Sequence, residues 1–443
     1  MSKLLLAFYG DDFTGSTDAL EQLTLAGIRT ALFIEPPTRY QLAKFRNLQA
    51  IGVAGMTRSM TPRAMERELR PALRKLKALG ARHVHYKVCS TFDSSPKIGS
   101  IGRAIDVGAE IFRARFVPLL AAAPSLGRFT VFGTHFARYG IGTDGEIHRL
   151  DQHPSISKHP ITPMTEADLR RHLGRQTKKK IALFNIFNVM MPEFLARSAL
   201  ARLLEEKPDV VLFDALLPEH LAVIGRMIEP YAREKRPLFS VGSSGIEMAL
   251  GAIWSKRRFP RTPVPPVKQV LVGSGSCSSV TEKQIVWALK NGFAEVALNT
   301  KALAVGKSSA GEIQRAIIAT MKLLTSGRNV IVHSTRSGSE KHIAARLKQN
   351  TAKVLGTALG KVLRGAAEQV QVHRICIAGG DTSSFAARAM GIEALEMVAP
   401  LTPGAPLCRA FAPGSPADGL EIVFKGGQVG AEDYFGIVKR GKV

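Results

Sequence analysis

Short apolar segments that end in polar, glycine-containing loops recur along this chain, and this alternation limits the fold more than any other feature. The first segment is residues 4–9 (LLLAFY), which is followed by GDDFTG at 10–15 and then by apolar residues at helical spacing as far as Ile28. This order predicts a buried parallel strand, a tight loop and a helix. Further segments of the same kind begin near residues 30, 48, 83, 181, 210, 238, 269, 329, 374 and 422.

The repetition predicts an α/β protein of two domains, each a mostly parallel sheet with flanking helices. A chain of 443 residues exceeds one hydrophobic core, which also favours two domains. The segment 256–268 begins with three basic residues and contains four prolines, so we predict a linker there. The expected domains are residues 1–255 and 269–443, with the ligand site in the cleft between them.

One region of the first domain interrupts this alternation. Residues 128–134 (RFTVFGT) predict one more strand, and the glycine-containing stretch after it predicts irregular structure. The histidines His148, His153 and His159 do not have metal-ligand spacing on a common element, so we interpret them as loop residues.

Composition excludes several classes of protein. The four cysteines are far apart, without a CxxC pair, so neither a disulfide framework nor a zinc site is expected. No apolar run approaches the roughly 20 residues that cross a bilayer, and the N-terminus has no signal-peptide pattern, which predicts a cytoplasmic protein with no membrane partner. The net charge of +25 suits nucleic acid, anionic surfaces or anionic small molecules. The basic clusters are short and lack a nucleic-acid-binding motif, so we predict no nucleic-acid partner.

The loops after three strands of the first domain carry candidate binding residues. Asp11 and Asp12 follow the first strand, Arg58 follows the third and Lys87 ends the fourth. In an open parallel sheet these loops meet at one edge, where ligands bind. Carboxylates accept hydrogen bonds from hydroxyl groups and arginine binds carboxylates, so this mixture suits a hydroxylated acid. Asp12 could instead cap the following helix, and Arg58 or Lys87 could form a surface salt bridge.

Three glycine-rich loops in the second domain indicate phosphate binding. They are residues 273–279, 379–384 and 426–430, and each follows an apolar strand. Glycines allow the backbone to approach a phosphate, and Asp381 could hold Mg²⁺ or a ribose. The alternative for 379–384 is a turn with a helix cap. The sequence Gly306-Lys307-Ser308 is not a Walker A motif, because Lys301 stands where the first glycine belongs.

Taken together, these motifs resemble the four-carbon acid sugar kinase family over nearly the whole chain and in the family's order. The matching segments are GDDFTG at 10–15, TRS at 57–59, YKVCSTFD at 86–93, HPITPM at 159–164, GSGSCS at 273–278, GGDTS at 379–383 and KGGQVG at 425–430.

The resemblance implies an enzyme that uses ATP and Mg²⁺ to phosphorylate a small anionic sugar acid, with the sugar bound by the N-terminal domain and ATP by the C-terminal domain. Asp11 or Asp12 would orient the reacting hydroxyl or accept its proton. The implied sugar-acid contacts are Asp12, Arg58, Lys87, Cys89 and Ser90. The implied ATP contacts are Ser274, Ser276, Gly379, Gly380, Asp381, Thr382, Gly426, Gly427 and Gln428, with Asp381 also the metal ligand. A homodimer would be consistent with the family.

The segment after Lys87 indicates which acid sugar kinases of the family this chain resembles most. Many threonate and erythronate kinases have Asp-Ser and then Arg-Gly after this lysine, whereas this chain has CSTFD at 89–93. It is more similar here to kinases for 3-oxo-tetronate and 3-oxo-isoapionate. A threonate or erythronate kinase is the first alternative. A dinucleotide-dependent oxidoreductase would need a GxGxxG after the first strand, which is absent, and a basic nucleic-acid-binding protein would leave the glycine-rich loops unexplained.

Overall fold

The computed structural model describes residues 4–140, 144–159, 161–255, 259–260, 263–304, 306–334 and 351–441, apart from the side chains of residues 306, 307 and 381. The chain forms two compact units, Met1–Ala31 with Glu35–Phe259, and Leu32–Ile34 with Pro260–Val443. The division between Phe259 and Pro260 falls inside the predicted linker, of which residues 256–258, 261 and 262 lie outside the described residues. The predicted two-domain α/β fold is confirmed.

The described part of the first unit contains nine α-helices and ten complete strands, and an eleventh strand, Thr30–Phe33, spans the division because Leu32–Ile34 belong to the second unit. Its strands are β1 (Leu6–Gly10), β2 (Thr30–Phe33), β3 (Ala50–Ala54), β4 (His83–Lys87), β5 (Val117–Leu120), β6 (Arg128–Val131), β7 (Thr134–Arg138), β8 (Ile147–Arg149), β9 (Ile181–Phe184), β10 (Val210–Phe213) and β11 (Leu238–Gly242). Its helices are α1 (Phe13–Leu25), α2 (Arg39–Ala43), α3 (Pro62–Ala78), α4 (Ile101–Phe112), α5 (Leu169–Gly174), α6 (Ile186–Met190), α7 (Glu193–Glu205), α8 (Pro218–Ile228) and α9 (Gly245–Trp254).

The central sheet of this unit is parallel, in the order β3-β1-β4-β11-β5-β10-β9. Strands β1, β4 and β11 are buried along their whole length, as expected for a sheet covered on both faces. Residues from α3 and α4, such as Leu69, Leu73 and Ile105, pack in one core with strand residues such as Val84 and Phe239. Because all seven strands are parallel, their carboxyl ends share one edge.

A small antiparallel sheet of β6, β7 and β8 stands apart from the central sheet. The prediction of a single strand over 128–134 is therefore wrong, since the chain turns at Phe132 and Gly133 and pairs with itself. Both turn residues have positive φ, 52° and 80°. The sequence hides the turn because Phe132 is apolar and seldom adopts this conformation.

The second unit repeats the parallel architecture. Its strands are β12 (Val270–Ser274), β13 (Phe293–Ala297), β14 (Asn329–His333), β15 (Arg374–Ala378), β16 (Ala394–Thr402), β17 (Ala405–Phe411) and β18 (Glu421–Lys425). Its helices are α10 (Ser279–Lys290), α11 (Thr300–Ala304), α12 (Gly306–Thr325), α13 (Thr351–Gln369), α14 (Gly380–Ala389) and α15 (Tyr434–Arg440). Strands β13-β14-β12-β15-β18 are parallel in that order, and β17 and β16 follow antiparallel. Among the described residues, no helix has the length and apolarity needed to cross a membrane.

Candidate active site

Asp12 begins α1 and fixes the loop after β1. Its Oδ1 atom accepts a hydrogen bond from the backbone N–H of Gly15 at 2.7 Å, and its Oδ2 atom accepts one from the Thr14 hydroxyl at 3.1 Å. A β-carbon at Gly10 would lie 1.9 Å from Ser16 Oγ, so the last residue of β1 must be a glycine for the helix to start so close. Asp12 therefore caps the helix, as the alternative interpretation of the sequence expected.

Arg58 brings three carboxylates together. Its Nη1 atom lies 2.7 Å from Asp12 Oδ2, its Nη2 atom 3.3 Å from Asp93 Oδ2, and its Nε atom 3.7 Å from Asp11 Oδ2. The backbone N–H of Arg58 also donates to the carbonyl of Asp11 at 3.0 Å. Asp12 thus has a second role besides capping, and the predicted neighbours Asp11, Asp12 and Arg58 do lie together.

This cluster has unused hydrogen-bonding capacity. The buried atoms Asp11 Oδ1 and Arg58 Nε have no hydrogen-bond partner among the described residues. The Arg58 side chain is 22% exposed, so the cluster opens to solvent at the guanidinium. A buried acceptor and a buried donor without hydrogen bonds, next to a solvent opening, suit a polar ligand, because burying such groups without hydrogen bonds costs free energy.

Burial and the neighbouring charges bring the pKa of Asp11 close to neutral pH. Burial raises the pKa of Asp11 from 3.8 to about 7; Arg58 lowers that pKa and Asp12 raises it. Burial opposes the charge of Arg58, but Asp12, Cys89 and Asp11 raise its pKa above the ordinary value. Asp11 can therefore exchange a proton near neutral pH while the guanidinium stays charged.

Lys87 is buried beneath this cluster. Its ammonium lies 3.4 Å from Asp18 Oδ2 and donates to the carbonyl of Val88 at 3.0 Å. Burial lowers the pKa of Lys87, but Asp18, Glu247 and Asp11 raise it to above its ordinary value. Lys87 is only 1% exposed, so its ammonium ties β4 to α1 in this structure, and its predicted contact with a substrate stays a prediction.

Cys89 and Ser90 continue from β4 along the same edge. The Cys89 thiol lies 2.9 Å from the Thr91 hydroxyl, and burial raises its pKa. The carbonyl of Ser90 lies 2.9 Å from His135 Nε2, so the small sheet packs on this loop. Both predicted residues thus lie on the loop that also carries Asp93, and their roles stay predictions.

A buried carboxylate lies behind Lys87. Glu247, in the first turn of α9, is fully buried, and neither of its oxygens has a hydrogen-bond partner among the described residues. His85 Nε2 lies 3.7 Å from Glu247 Oε1. Burial raises the pKa of Glu247 from 4.5 to about 8, and burial with the nearby Lys87 lowers that of His85 to about 3.

In the second unit the three glycine-rich loops meet around Ser276, at the carboxyl ends of β12, β15 and β18. A β-carbon at Gly427 would lie 2.9 Å from Ser276 Oγ, and one at Gly379 would lie 3.3 Å from the backbone nitrogen of Ser276. The Thr382 hydroxyl lies 3.4 Å from the carbonyl of Gly275. The buried Ser274 Oγ has no hydrogen-bond partner among the described residues. The structure therefore brings the predicted loops together, with backbone close packed at the glycines.

Two buried side chains hold the last of these loops. Lys425 donates from Nζ to the Thr281 hydroxyl at 3.0 Å, and that hydroxyl donates to the carbonyl of Gly427 at 2.9 Å. Gln284 Nε2 donates to the carbonyls of residues 429, 430 and 431. Burial lowers the pKa of Lys425 to about 8. The loop that contains Gly426 and Gln428 is thus fixed from beneath by α10.

The predicted metal ligand is Asp381, at the start of α14. Asp381 is the second residue of α14, and its side chain lies outside the described part of the chain. Among the described residues, no group of three or more histidines, cysteines or acids could hold a metal ion. A protein-built metal cage is not needed for Mg²⁺, which commonly binds one or two carboxylates together with substrate phosphates.

Comparison with known proteins identifies the class. The family described as "Sugar-binding N-terminal domain" matches residues 6–250, and the family described as "Nucleotide-binding C-terminal domain" matches residues 271–435. The chain belongs to this two-domain family, and the predicted class of enzyme, a sugar-acid kinase, is confirmed.

Among its relatives, the chain is 41% identical to "3-oxo-isoapionate kinase" from Paraburkholderia graminis, over 99% of this chain and 95% of the relative. It is 28% identical to "3-oxo-tetronate kinase" from Pseudomonas savastanoi pv. phaseolicola, over 97% and 96%. Two crystal structures share the fold. One, from Salmonella typhimurium LT2, has a TM-score of 0.78 at 24% identity and 99% coverage of both chains; the other, from Haemophilus influenzae, has 0.70 at 23% and 98%.

Sequence reasoning did not assign several residues that the site contains. Asp93 pairs with Arg58, Asp18 pairs with Lys87, and Lys425 and Thr281 support the Gly427 loop. Asp93 and Lys425 lie inside motifs on which the family resemblance rests, so the sequence could have indicated both residues. Asp18 and Thr281 lie within helices, where nothing in the sequence distinguishes them from surface residues.

Proposed function

We propose that this protein transfers the γ-phosphoryl group of ATP to a hydroxyl of a small 3-oxo acid sugar. The observation that carries this proposal is the convergence of three glycine-rich loops around Ser276 in a unit of the nucleotide-binding family. Phosphoryl transfer depends on positioning and charge neutralisation more than on covalent chemistry by the protein. In this proposal, positioning and charge neutralisation are supplied by the Asp11, Asp12 and Arg58 cluster and by the glycine-rich loops.

The sugar acid binds, in this proposal, at the cluster of Asp11, Asp12 and Arg58. Asp11 has an unpaired buried oxygen and a pKa of about 7, so it accepts the proton of the reacting hydroxyl. Asp12 is held by Gly15 and Arg58 and orients the hydroxyl. The Arg58 guanidinium, which is partly exposed and whose Nε has no hydrogen-bond partner among the described residues, is the contact for the acid, with Cys89 and Ser90 beside it. Lys87 holds α1 in place through Asp18.

The nucleotide binds, in this proposal, at the loops that contain Ser274, Ser276, Gly379, Gly380, Thr382, Gly426, Gly427 and Gln428. The support is the close approach of the three loops that the absent β-carbons of Gly379 and Gly427 allow, together with the unpaired hydroxyl of Ser274. Asp381, near the start of α14, would hold Mg²⁺, which neutralises phosphate charge when bound.

3-Oxo-isoapionate is the first candidate substrate. The support is the name of the Paraburkholderia graminis relative, which is 41% identical over nearly the full length. The relatives named 3-oxo-tetronate kinase are 26–29% identical, which ranks 3-oxo-tetronates second.

The test is ADP release by the purified protein with Mg-ATP, across 3-oxo-isoapionate, 3-oxo-tetronates and tetronates. We expect the highest kcat/KM on 3-oxo-isoapionate and loss of turnover in Asp11→Asn and in Asp381→Ala. Asp381→Ala should raise the Mg²⁺ concentration needed for tight ATP binding, whereas Asp11→Asn should leave ATP affinity unchanged. Glu110→Gln, at an exposed position on α4, is the control for activity that is lost during preparation of a variant.

The outcomes separate the parts of the proposal. ATP binding without turnover on any acid would contradict the substrate class and leave the nucleotide site standing. Turnover on tetronates alone would favour the threonate or erythronate branch. Absence of ATP binding would contradict the proposal as a whole.

A further inference from the structure

The first unit carries a set of exposed apolar side chains on the segments that follow β6, β9 and β10. They come from the turn after β6, from α6 and the start of α7, and from the loop before α8, and each is 37–69% exposed: Phe132, Phe187, Met190, Met191, Phe194, Leu195, Leu216 and Leu217. We call this set the apolar patch. The rings of Phe132 and Phe187 contact each other at 5.3 Å between centroids, which joins the turn to α6.

One buried carboxylate fixes the three segments of the apolar patch. Asp214 is fully buried, and it accepts hydrogen bonds from the backbone N–H groups of Phe132 at 2.6 Å, Gly133 at 3.0 Å and Ile186 at 3.1 Å. The residue after it, Ala215, exchanges backbone hydrogen bonds with Thr130. The exposed side chains are therefore presented by an ordered scaffold.

Phe132 is held in an unfavourable conformation while its ring is exposed. It has φ of 52° at the first position of a two-residue turn, where asparagine or aspartate is preferred. A bulky residue at positive φ carries a conformational cost. Its ring is 47% exposed, so burial within this chain offsets little of that cost. Strain of this kind, with an exposed aromatic ring, indicates a surface shaped for contact with another molecule.

We propose that the apolar patch is the interface between two copies of this chain. Its side chains expose on the order of 800 Å², taking roughly 200 Å² for one fully exposed side chain of this size. This area exceeds the largest apolar patch of a typical monomer and equals the ~800 Å² per partner of a standard stable interface. A two-fold dimer uses the same patch on both copies, so one patch is sufficient.

Charges at the rim allow this contact despite the net charge of +25. Glu193 lies 2.6 Å from Arg197 and 2.7 Å from Arg226, and Asp168 lies 2.7 Å from Arg170. These pairs neutralise part of the basic charge where two copies would meet. Among the described residues, β9 is the last strand of the parallel sheet and leads directly into α6, so its outer side is available to pair with the second copy.

The interface would also support the sugar loop. Within β6 and β7, the Thr130 hydroxyl lies 2.8 Å from His135 Nδ1, and His135 Nε2 lies 2.9 Å from the carbonyl of Ser90. Contact at Phe132 therefore restrains a sheet that packs on the loop carrying Ser90.

The test is sedimentation equilibrium of the full-length protein at a chain concentration of about 50 µM. Interfaces of this size have dissociation constants between µM and pM, so the dimer should be populated at that concentration. We expect twice the chain mass of 47.9 kDa for the wild type and a twofold drop for Phe194→Asp and for Phe187→Asp. Tyr40→Asp, at a side chain 72% exposed on α2 and outside the patch, is the matched control and should stay dimeric.

Circular dichroism confirms folding of each variant, and Met190→Lys replaces any variant that fails to fold. Hydrogen exchange of the wild type gives a readout without substitution, because amides of 186–195 should exchange more slowly at high than at low concentration. A wild-type monomer at about 50 µM, or a dimer that persists in the folded patch variants, would overturn the proposal. A monomer in which 186–195 are protected at every concentration would instead indicate a contact within the chain and would also overturn it.

Discussion

Asp12 serves two structural purposes that different substitutions can separate. Its Oδ1 atom caps α1 at Gly15, and its Oδ2 atom binds Arg58. Any polar N-cap side chain can satisfy the helix, but only a carboxylate can pair with a guanidinium. The structure shows Asp12 capping α1 and pairing with Arg58, and its predicted contact with the substrate stays a prediction.

We predict that Asp12→Ser retains stability and loses activity, whereas Asp12→Ala loses both. Serine is a good N-cap, while alanine costs about 1 kcal/mol at this position. Neither can hold Arg58, so ADP release should fall in both variants. The measurements are thermal midpoint and kcat/KM side by side. Full activity in Asp12→Ser would mean that Asp12 is only a helix cap.

Asp11 should set the acidic limb of the pH–rate profile. Its pKa is about 7 because burial and the charge of Asp12 raise it more than Arg58 lowers it. Below that pH the carboxyl is protonated and cannot accept the hydroxyl proton, so kcat/KM should fall as pH decreases. Asp11→Asn should lose about 10²–10⁴-fold in kcat and the acidic limb with it.

The control for this profile is Asp93→Asn. It removes a carboxylate 3.3 Å from Arg58 and keeps Asp11 itself, so the limb should remain and move to lower pH, because Asp93 raises the pKa of Asp11. If the acidic limb survives in Asp11→Asn, a group other than Asp11 produces it.

For single residues, the sequence indicates which ones belong to the candidate site but not which side chains they contact. The adjacent acids at 11 and 12 stand out because like charges repel, and a glycine on either side marks a loop. The contact of Arg58 with Asp93, 35 residues apart, depends on how two loops meet in space. The high pKa of Asp11 depends on burial, which no local pattern encodes.

Among the elements, the strands that alternate with helices were predictable and the hairpin of β6 and β7 was not. Strand patterns such as VVLF at 210–213 are uniformly apolar and bounded by polar residues. The turn at Phe132 and Gly133 has one weak local signal, the glycine, since the conformation of Phe132 depends on the distant Asp214. Tertiary contacts here override local preference.

Gly427 tests whether the glycine-rich loops form the nucleotide site. An alanine β-carbon there would lie 2.9 Å from Ser276 Oγ and 3.0 Å from Ser278 Cβ. Ser278 caps α10, so it cannot move freely, and the loops must separate. We expect Gly427→Ala to weaken ATP binding roughly tenfold, about 1.4 kcal/mol, by isothermal titration calorimetry.

Gly311→Ala is the matched control for this prediction. Gly311 lies in α12 of the same unit, with nothing within 4 Å of an added β-carbon, so alanine should be neutral or slightly stabilising. Equal ATP affinity of Gly427→Ala and the wild type would place the nucleotide elsewhere.

For the whole molecule, the sequence predicts two parallel α/β units because the pattern restarts after a proline-rich segment. It does not predict the order of the strands. Strand β11 inserts between β4 and β5, which brings Ser240 beside His85, 155 residues earlier in the chain. That insertion also delivers Glu247, on the helix after β11, to the interior beside Lys87. A buried acid of this kind is a consequence of topology, and its effect appears in the stability of the whole molecule.

Glu247 should make the protein less stable as pH rises. Its pKa is about 8 in the folded chain and near 4.5 when exposed, so the folded state holds its proton more tightly. That contribution is fully present below pH 4.5 and is lost as pH rises through about 8, at about 1.4 kcal/mol per pKa unit. Glu247→Gln keeps the shape of the protonated acid without titrating. We therefore expect thermal midpoints of the full-length chain to match the wild type at pH 5 and to exceed it at pH 9. The exposed Glu219→Gln should show no such divergence, and parallel curves for Glu247→Gln and wild type would mean that the buried carboxyl is ionised throughout.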